Sequence, residues 1–180
     1  KLVEILKSKK EEKTLVFCTF IEEMNLYAVR IKQEGLNVLH LDGSMSLEER
    51  SDVVKKFNTR SDIPVFLIQI HTGGVGYNLQ SATNVIITEP TWNPALEHQA
   101  IGRAHRTGQT KNVNVIKLIS TFPGSIPTVE EFILQLQEQK LKMISEVLND
   151  PRIAKVEKGS HVKKIEEGIT FKDIAKMFKA

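Results

Sequence analysis

The stretch PVFLIQI (64–70), followed at once by HTGGVGYNL (71–79), decides how this chain folds. Apart from Pro64 and Gln69 the first run is apolar throughout, with no alternation of polar and apolar residues. Such a run needs cover on both faces, the environment of a strand inside a parallel sheet. The glycines at 73, 74 and 76 then permit a tight turn that presents backbone N–H groups. That geometry suits phosphate or sugar oxygens, and equally a plain structural turn. Gly74 and Gly76 do not make a dinucleotide fingerprint, because position 79 is leucine where a third glycine is required.

Four more runs have the same character: TLVFC (14–18), NVLHL (37–41), NVIITE (84–89) and VNVIKLI (113–119). Helical patterns alternate with them. Met24, Tyr27, Ala28 and Ile31 follow the spacing of one buried helix face. Ser46 and Glu49 form a capping box that opens a helix through Phe57, with Leu47, Val54 and Phe57 on one side. Asn93 and Pro94 are a cap and a first-turn proline, and Gly108 suits a C-terminal stop, so this helix is predicted from Pro94 to Thr107. The alternation predicts an α/β fold, a doubly wound parallel sheet with right-handed crossovers and flanking helices.

Beyond Ser120 the pattern changes. TFPGSIP (121–127) reads as a linker. Thr128 and Glu131 make a second capping box before a long amphipathic helix carrying Val129, Phe132, Ile133, Leu136, Met143 and Val147. Residues 149–169 are Lys-rich without a period and read as mobile, and TFKDIAKMF (170–178) as a short closing helix. The predicted organisation is a lobe over 1–122 and a helical extension with a mobile basic segment over 123–180.

The chain has 180 residues, 41% apolar and 26% charged, ordinary for a globular protein with one sizeable core. One cysteine, Cys18, excludes an internal disulfide and most cysteine-based metal sites, and suggests a reducing compartment. No apolar run approaches the ~20 residues that span a bilayer, and the first residues lack the apolar stretch of a signal peptide. The chain does not begin with methionine, which suggests a piece of something longer. Net charge is +3, but residues 1–139 carry −1 and residues 140–180 carry +4. A basic tail fits a polyanionic partner or simply a solvated helix face.

The chemistry concentrates in HQAIGRAHRTGQ (98–109). On a helix Gln99, Arg103 and Arg106 share one face. Two guanidiniums so spaced repel unless they meet an anion with several oxygens, such as a triphosphate, or pair with Glu97 and solvent. Arginine at a transferring phosphoryl group is worth about 10³–10⁵ in rate. His98 and His105 lack the spacing of a zinc helix, and His105 reads as a supporting or core residue. Trp92, the only tryptophan, either stacks on a base or sugar or anchors the core. Gly43 and Ser44 precede a helix N-terminus, where free N–H groups favour phosphate; an ordinary strand–turn–helix connection is the alternative. No phosphate loop, acidic magnesium box, metal-ligand set or Ser/His/Asp arrangement is present in the sequence.

Taken together, VFCTF, LDGSMSLEER, HTGGVGYNLQSATNVI, TWNP and QAIGRAHRTGQTKNVNVIKLI resemble the ordered motifs of the Swi/Snf-type ATPases of helicase superfamily 2. The resemblance covers the second, C-terminal RecA-like lobe over about residues 1–120, and TVEEFILQLQEQK resembles the family's C-terminal extension. It implies an ATP-driven translocase on double-stranded DNA, with ATP between two lobes and Mg2+ held mainly by the N-terminal RecA-like lobe. It further implies that Arg103 and Arg106 reach across the cleft as arginine fingers, supported by Gln99. Gly74, Gly76 and Asn78 would couple nucleotide to DNA, and Thr19, Gly43, Ser44, Thr72 and Trp92 would contact the duplex. Partners implied are duplex DNA and a nucleosome or other DNA-bound protein, with no membrane. The setting would be nuclear in a eukaryote and cytoplasmic, at a nucleoid or viral factory, otherwise. The sequence departs from the family at Gly102, where remodellers often carry an acid, at Gln69-Ile70, where a small hydroxyl pair is usual, and at Tyr77, bulkier than the common aliphatic. A strand-separating helicase lobe and a non-catalytic binding module are the rival readings. The fragment alone is expected to be inactive.

Overall fold

The computed structural model describes residues 1–72, 76–123, 127–148 and 164–166, the side chains of 143–148 and 164–166 excepted. Five strands form one wholly parallel sheet: β1 (Thr14–Cys18), β2 (Val38–Leu41), β3 (Val65–Gln69), β4 (Asn84–Ile87) and β5 (Asn114–Lys117). Their order is β2-β3-β1-β4-β5. From β1 the chain crosses to the edge strand β2, returns to place β3 beside β1, and then passes β1 to add β4 and β5 on the other side. This leaves a topological switch point between the C-terminal ends of β1 and β4, where open α/β sheets take their ligands.

Burial explains the apolar runs. Every residue of β1 is buried, and its side chains alternate between two cores. Leu15 and Phe17 join one with Phe57, Phe66 and Ala100; Val16 and Cys18 join the other with Leu2, Leu6, Met24 and Ile31. The first is covered by α3 (Leu47–Thr59) and α4 (Pro94–Ile101), the second by α1 (Leu2–Ser8) and α2 (Ile21–Gln33). Burial pushes the Cys18 thiol up to about 12, so it behaves as a small core apolar group. The Ser46 capping box forms, with Glu49 N–H donating to Ser46 Oγ at 3.2 Å and Ser46 N–H to Glu49 Oε2 at 2.7 Å. Leu47, however, is 74% exposed rather than part of the buried stripe. At the first helical position it points back past the end of the helix, where no element lies over it.

The largest local departure is α4. It ends at Ile101, with Gly102 as its C-cap, rather than running to Thr107. Beyond Gly102 the carbonyls leave the helical ladder and are taken by another segment. Leu79 N–H donates to the Arg103 carbonyl at 3.1 Å, and Gln80 Nε2 donates to the carbonyls of Arg106 and Thr107 at 3.2 and 2.6 Å. Gly108 does adopt positive φ, +99°, but it closes this loop rather than the helix.

VNVIKLI splits at Leu118 into β5 and a separate β6 (Ile119–Thr121). Strand β6 pairs in parallel with β7 (Lys164–Glu166), a strand inside the segment expected to be mobile. Three residues are too few to reveal a period in the sequence. Between them lies α5 (Val129–Leu148), opened by the expected box of Thr128 and Glu131. Its buried stripe is Ile133, Gln137 and Leu141, while Val129 and Phe132 stay exposed. A hydrogen-bonded glutamine, not an apolar residue, occupies the centre of that face. Met143 and Val147, the expected closing helix 170–178 and the rest of 149–169 lie outside the described side chains or residues.

Candidate functional site

The arginines sit on the 102–109 loop. Arg106 is exposed, and its Nη1 donates to the Gly76 carbonyl at 3.3 Å. Arg103 is half-buried and approaches the same residue, since a Cβ placed on Gly76 would lie 3.7 Å from its Nη1. Burial first, and then the neighbouring Arg106 charge, push the Arg103 guanidinium below its ordinary value. Arginine does not give up its proton in proteins, so the shift marks a positive charge partly withdrawn from water beside a second one. Neither arginine pairs with Glu97. That carboxylate is 2% exposed and faces Lys117 Nζ at 2.7 Å.

Two glutamines hold this loop, and neither was marked as functional by the spacing of charged residues. Gln80 takes the carbonyls noted above, and Gln109 Nε2 donates to those of Gln80, Ala82 and Ala104 at 2.9, 3.2 and 3.3 Å. Asn78 Oδ1 accepts from Gln80 N–H at 3.2 Å, and the Asn78 carbonyl accepts from Asn58 on α3 at 2.9 Å. Gln99 is exposed on α4 and makes no side-chain hydrogen bond among the described residues, so the expected shared stripe with the arginines is absent. His105 is exposed, not a core residue. Gly74 lies outside the described residues.

The residues expected at DNA line the C-terminal edge of the sheet in the order of the strands. Gly43 and Ser44 follow β2, Thr72 follows β3, Thr19 follows β1 and Trp92 follows β4. Three inter-strand steps give a row of about 14 Å, or about four nucleotide rises along one strand of a duplex. Gly43 N–H and Thr72 Oγ1 both donate to Gln69 Oε1, at 3.1 and 2.9 Å. Arg50 Nη2 donates to the Gly43 carbonyl at 2.8 Å. The helix N-terminus beside them is not open, because Ser46 and Glu49 fill it. Ser44 N–H and Oγ both donate to Asp42 Oδ1, at 2.8 and 2.5 Å, which holds the Asp42 carboxyl below its usual range.

Thr19 and Trp92 share a groove of about 440 Å³ with Phe20, Leu96, Val129 and Ile133. Trp92 is 58% exposed and therefore no core anchor; its carbonyl accepts from Lys140 of α5 at 3.1 Å. Thr19 N–H donates to Glu89 Oε1 at 2.9 Å. Burial first, and also the nearby Glu89, push the carboxyls of Glu23 and Glu130 up. Behind Trp92, Gln137 Nε2 donates to the Thr91 carbonyl and to Glu97 Oε1, the latter at 2.6 Å, and Thr91 N–H donates to the same oxygen at 2.7 Å. Among the described residues no cluster of three or more His, Cys, Asp or Glu is placed to hold a metal ion, and no helix is long and apolar enough to cross a membrane.

The helicase conserved C-terminal domain family matches residues 1–108. This chain belongs to that family. Relatives of this helicase lobe include the ATP-dependent helicase FUN30 of Saccharomyces cerevisiae, 36% identical over 152 residues, 84% of this chain and 13% of that protein. The DNA repair protein RAD5B of Arabidopsis thaliana is 36% identical over 152 residues, 84% of this chain and 12% of its own length. The crystal structure of the C-terminal part of the Fun30 ATPase domain superposes with a TM-score of 0.69 at 34% identity, covering 86% of this chain and 53% of that one. The chain is thus a C-terminal helicase lobe of Swi/Snf-type, with a RecA-like parallel sheet, and it spans about one-eighth of those curated relatives. Its relatives are ATP-dependent enzymes of chromatin and DNA repair.

Proposed function

We propose that this lobe is the second half of an ATP-driven translocase on double-stranded DNA, and that Arg103 and Arg106 complete its nucleotide site from across a cleft. The observation that carries the reading is the convergence of both guanidiniums on Gly76, on a loop whose carbonyls are held by Gln80 and Gln109. ATP would supply a polyphosphate in which the breaking P–O bond moves negative charge onto the leaving diphosphate oxygen beside the transferring group. The arginines stabilise that charge, an effect worth about 10³–10⁵ in rate for a single finger. Gln99 and Asn78 border the same loop, and we assign them, with Gly76 and Gly74, to the nucleotide site. We assign Mg2+ and the remaining phosphate contacts to an upstream N-terminal lobe.

The row Gly43, Ser44, Thr72, Thr19 and Trp92 is our candidate track for one DNA strand. Contacts along such a track position the protein without reading sequence. Among the described residues the Thr19 hydroxyl and the Trp92 indole are its uncommitted donors, while Gly43, Ser44 and Thr72 donate to Gln69 and Asp42 and shape its surface. A nuclear setting and a nucleosome or other DNA-bound protein as target follow from the same reading. In the two-lobe protein, Arg103→Ala or Arg106→Ala should abolish phosphate release while leaving nucleotide binding largely intact. Robust DNA-stimulated turnover by this lobe alone, or by either variant, would refute the assignment.

A further inference from the structure

Gln69 occupies the C-terminal end of β3, in the middle of the row just described, where the resemblance leads one to expect a small hydroxyl. Its side chain has a fixed direction. Gly43 N–H can only donate, so the amide atom 3.1 Å from it must be the oxygen. The hydroxyl of Thr72 donates to the same oxygen at 2.9 Å. A small side chain could not span from β3 to both groups, so Gln69 ties the ends of β2 and β3 together. With Oε1 so committed, Nε2 must face the other way. It makes no hydrogen bond among the described residues, and the Gln69 side chain is partly exposed. This amide lies at the strand ends beside Gly43 and Thr72, two residues of the track.

We propose that Gln69 Nε2 donates to a DNA phosphate, while Oε1, by taking the Gly43 N–H and the Thr72 hydroxyl, fixes the direction of the amide. This rests on the reading of the strand-end row as a DNA track. A neutral donor releases no counterion, so its contribution is distinguishable from that of a lysine or arginine. Removing it lowers affinity equally at every salt concentration. Glutamate at the same position keeps the acceptor oxygens for Gly43 and Thr72, loses the donor and adds a repelling charge. The strap and the phosphate contact are therefore separable by substitution.

The test uses the two-lobe protein and a blunt DNA duplex of mixed sequence. Gln69→Glu should melt with the wild type and keep its turnover at saturating DNA. It should need about tenfold more duplex for half-maximal ATPase stimulation, as expected for one lost hydrogen bond to a charged group. Gln69→Ala should weaken duplex binding with no change in the salt slope. Duplexes carrying single methylphosphonates supply a measurement independent of folding: one substitution should weaken the wild type and leave Gln69→Ala unaffected. The proposal fails if Gln69→Glu has the wild-type DNA requirement, or if every methylphosphonate weakens wild type and Gln69→Ala alike. A wild-type motor indifferent to duplex DNA would instead overturn the DNA track itself, and this contact with it.

Discussion

The Glu97 carboxylate lies 2.7 Å from the Lys117 ammonium, and both side chains are almost wholly withdrawn from water. Gln137 of α5 and Thr91 close the same carboxylate from the other side. Breaking a buried pair by removing one partner leaves an uncompensated charge, which costs about 3–5 kcal/mol. Lys117→Met should therefore lower the unfolding free energy by about that amount, read from urea titration. The double variant Glu97→Gln with Lys117→Met should recover much of the loss. An additive double variant would mean that the pair is not coupled.

Gln80 offers a way to disturb the arginines without touching them. Gln80→Ala frees the Thr107 carbonyl and leaves that of Arg106 with the Gln109 N–H alone, and the loop loses its fixed position. Misplacement of catalytic groups by about 1 Å can cost about 10²-fold in rate. In the two-lobe protein, kcat should fall by about 10- to 100-fold with nucleotide affinity little changed. Loss of affinity with kcat retained would place Gln80 outside the hydrolysis step.

Two glycines around this loop should respond differently to alanine. Gly108 has a φ of +99°, and a Cβ there would also stand 3.4 Å from Gln80 Nε2. Gly108→Ala should cost about 1–3 kcal/mol through backbone strain. Gly76 has no such φ, and its added Cβ would make only ordinary contact with Arg103. Gly76→Ala should leave the melting temperature near that of the wild type, and calorimetry of both variants checks the contrast.

Glu23 is a pH-dependent liability. Its Oε2 is buried without a partner, and burial, with Glu89 and Glu130 nearby, pushes its carboxyl above the ordinary 4.5. An acid with a raised folded value binds its proton more tightly folded than unfolded, so stability falls as pH rises from about 4.5 through that value. The cost then persists at neutral pH. Glu23→Gln should stabilise the protein at pH 7 by about 1 kcal/mol, toward the lower end for an unpartnered polar group because the side chain is only partly buried. The gain should vanish below about pH 4, where the carboxyl is protonated in both states. Melting curves across that range decide it.

What the sequence made legible follows from the range of the interactions involved. The runs at 14–18 and 64–70 announce buried strands because each residue's neighbours are fixed by the sheet. The boxes at Ser46 and Thr128 are visible because both partners lie within one turn. The end of α4 was not legible: the groups that take the carbonyls of Arg103, Arg106 and Thr107 belong to residues 79–80, more than twenty positions upstream. The place of Gln137 on the buried face of α5 is hidden for a similar reason. Gln137 looks like a solvent residue until Thr91 and Glu97 are brought beside it. Of the site, the motif residues could be named, but Gln80 supports the arginine loop, and Gln69 supports Gly43, from 26 or more positions away.

The parallel pairing of Ile119–Thr121 with Lys164–Glu166 has a practical consequence for anyone trimming this protein. A version stopped at residue 122 would keep one strand and discard its hydrogen-bonding companion. The bared row of amides and carbonyls would then be satisfied by whichever chain lies nearest, most often another molecule of the same kind. Shortened preparations should clump as concentration rises, while those extending past residue 166 stay dispersed.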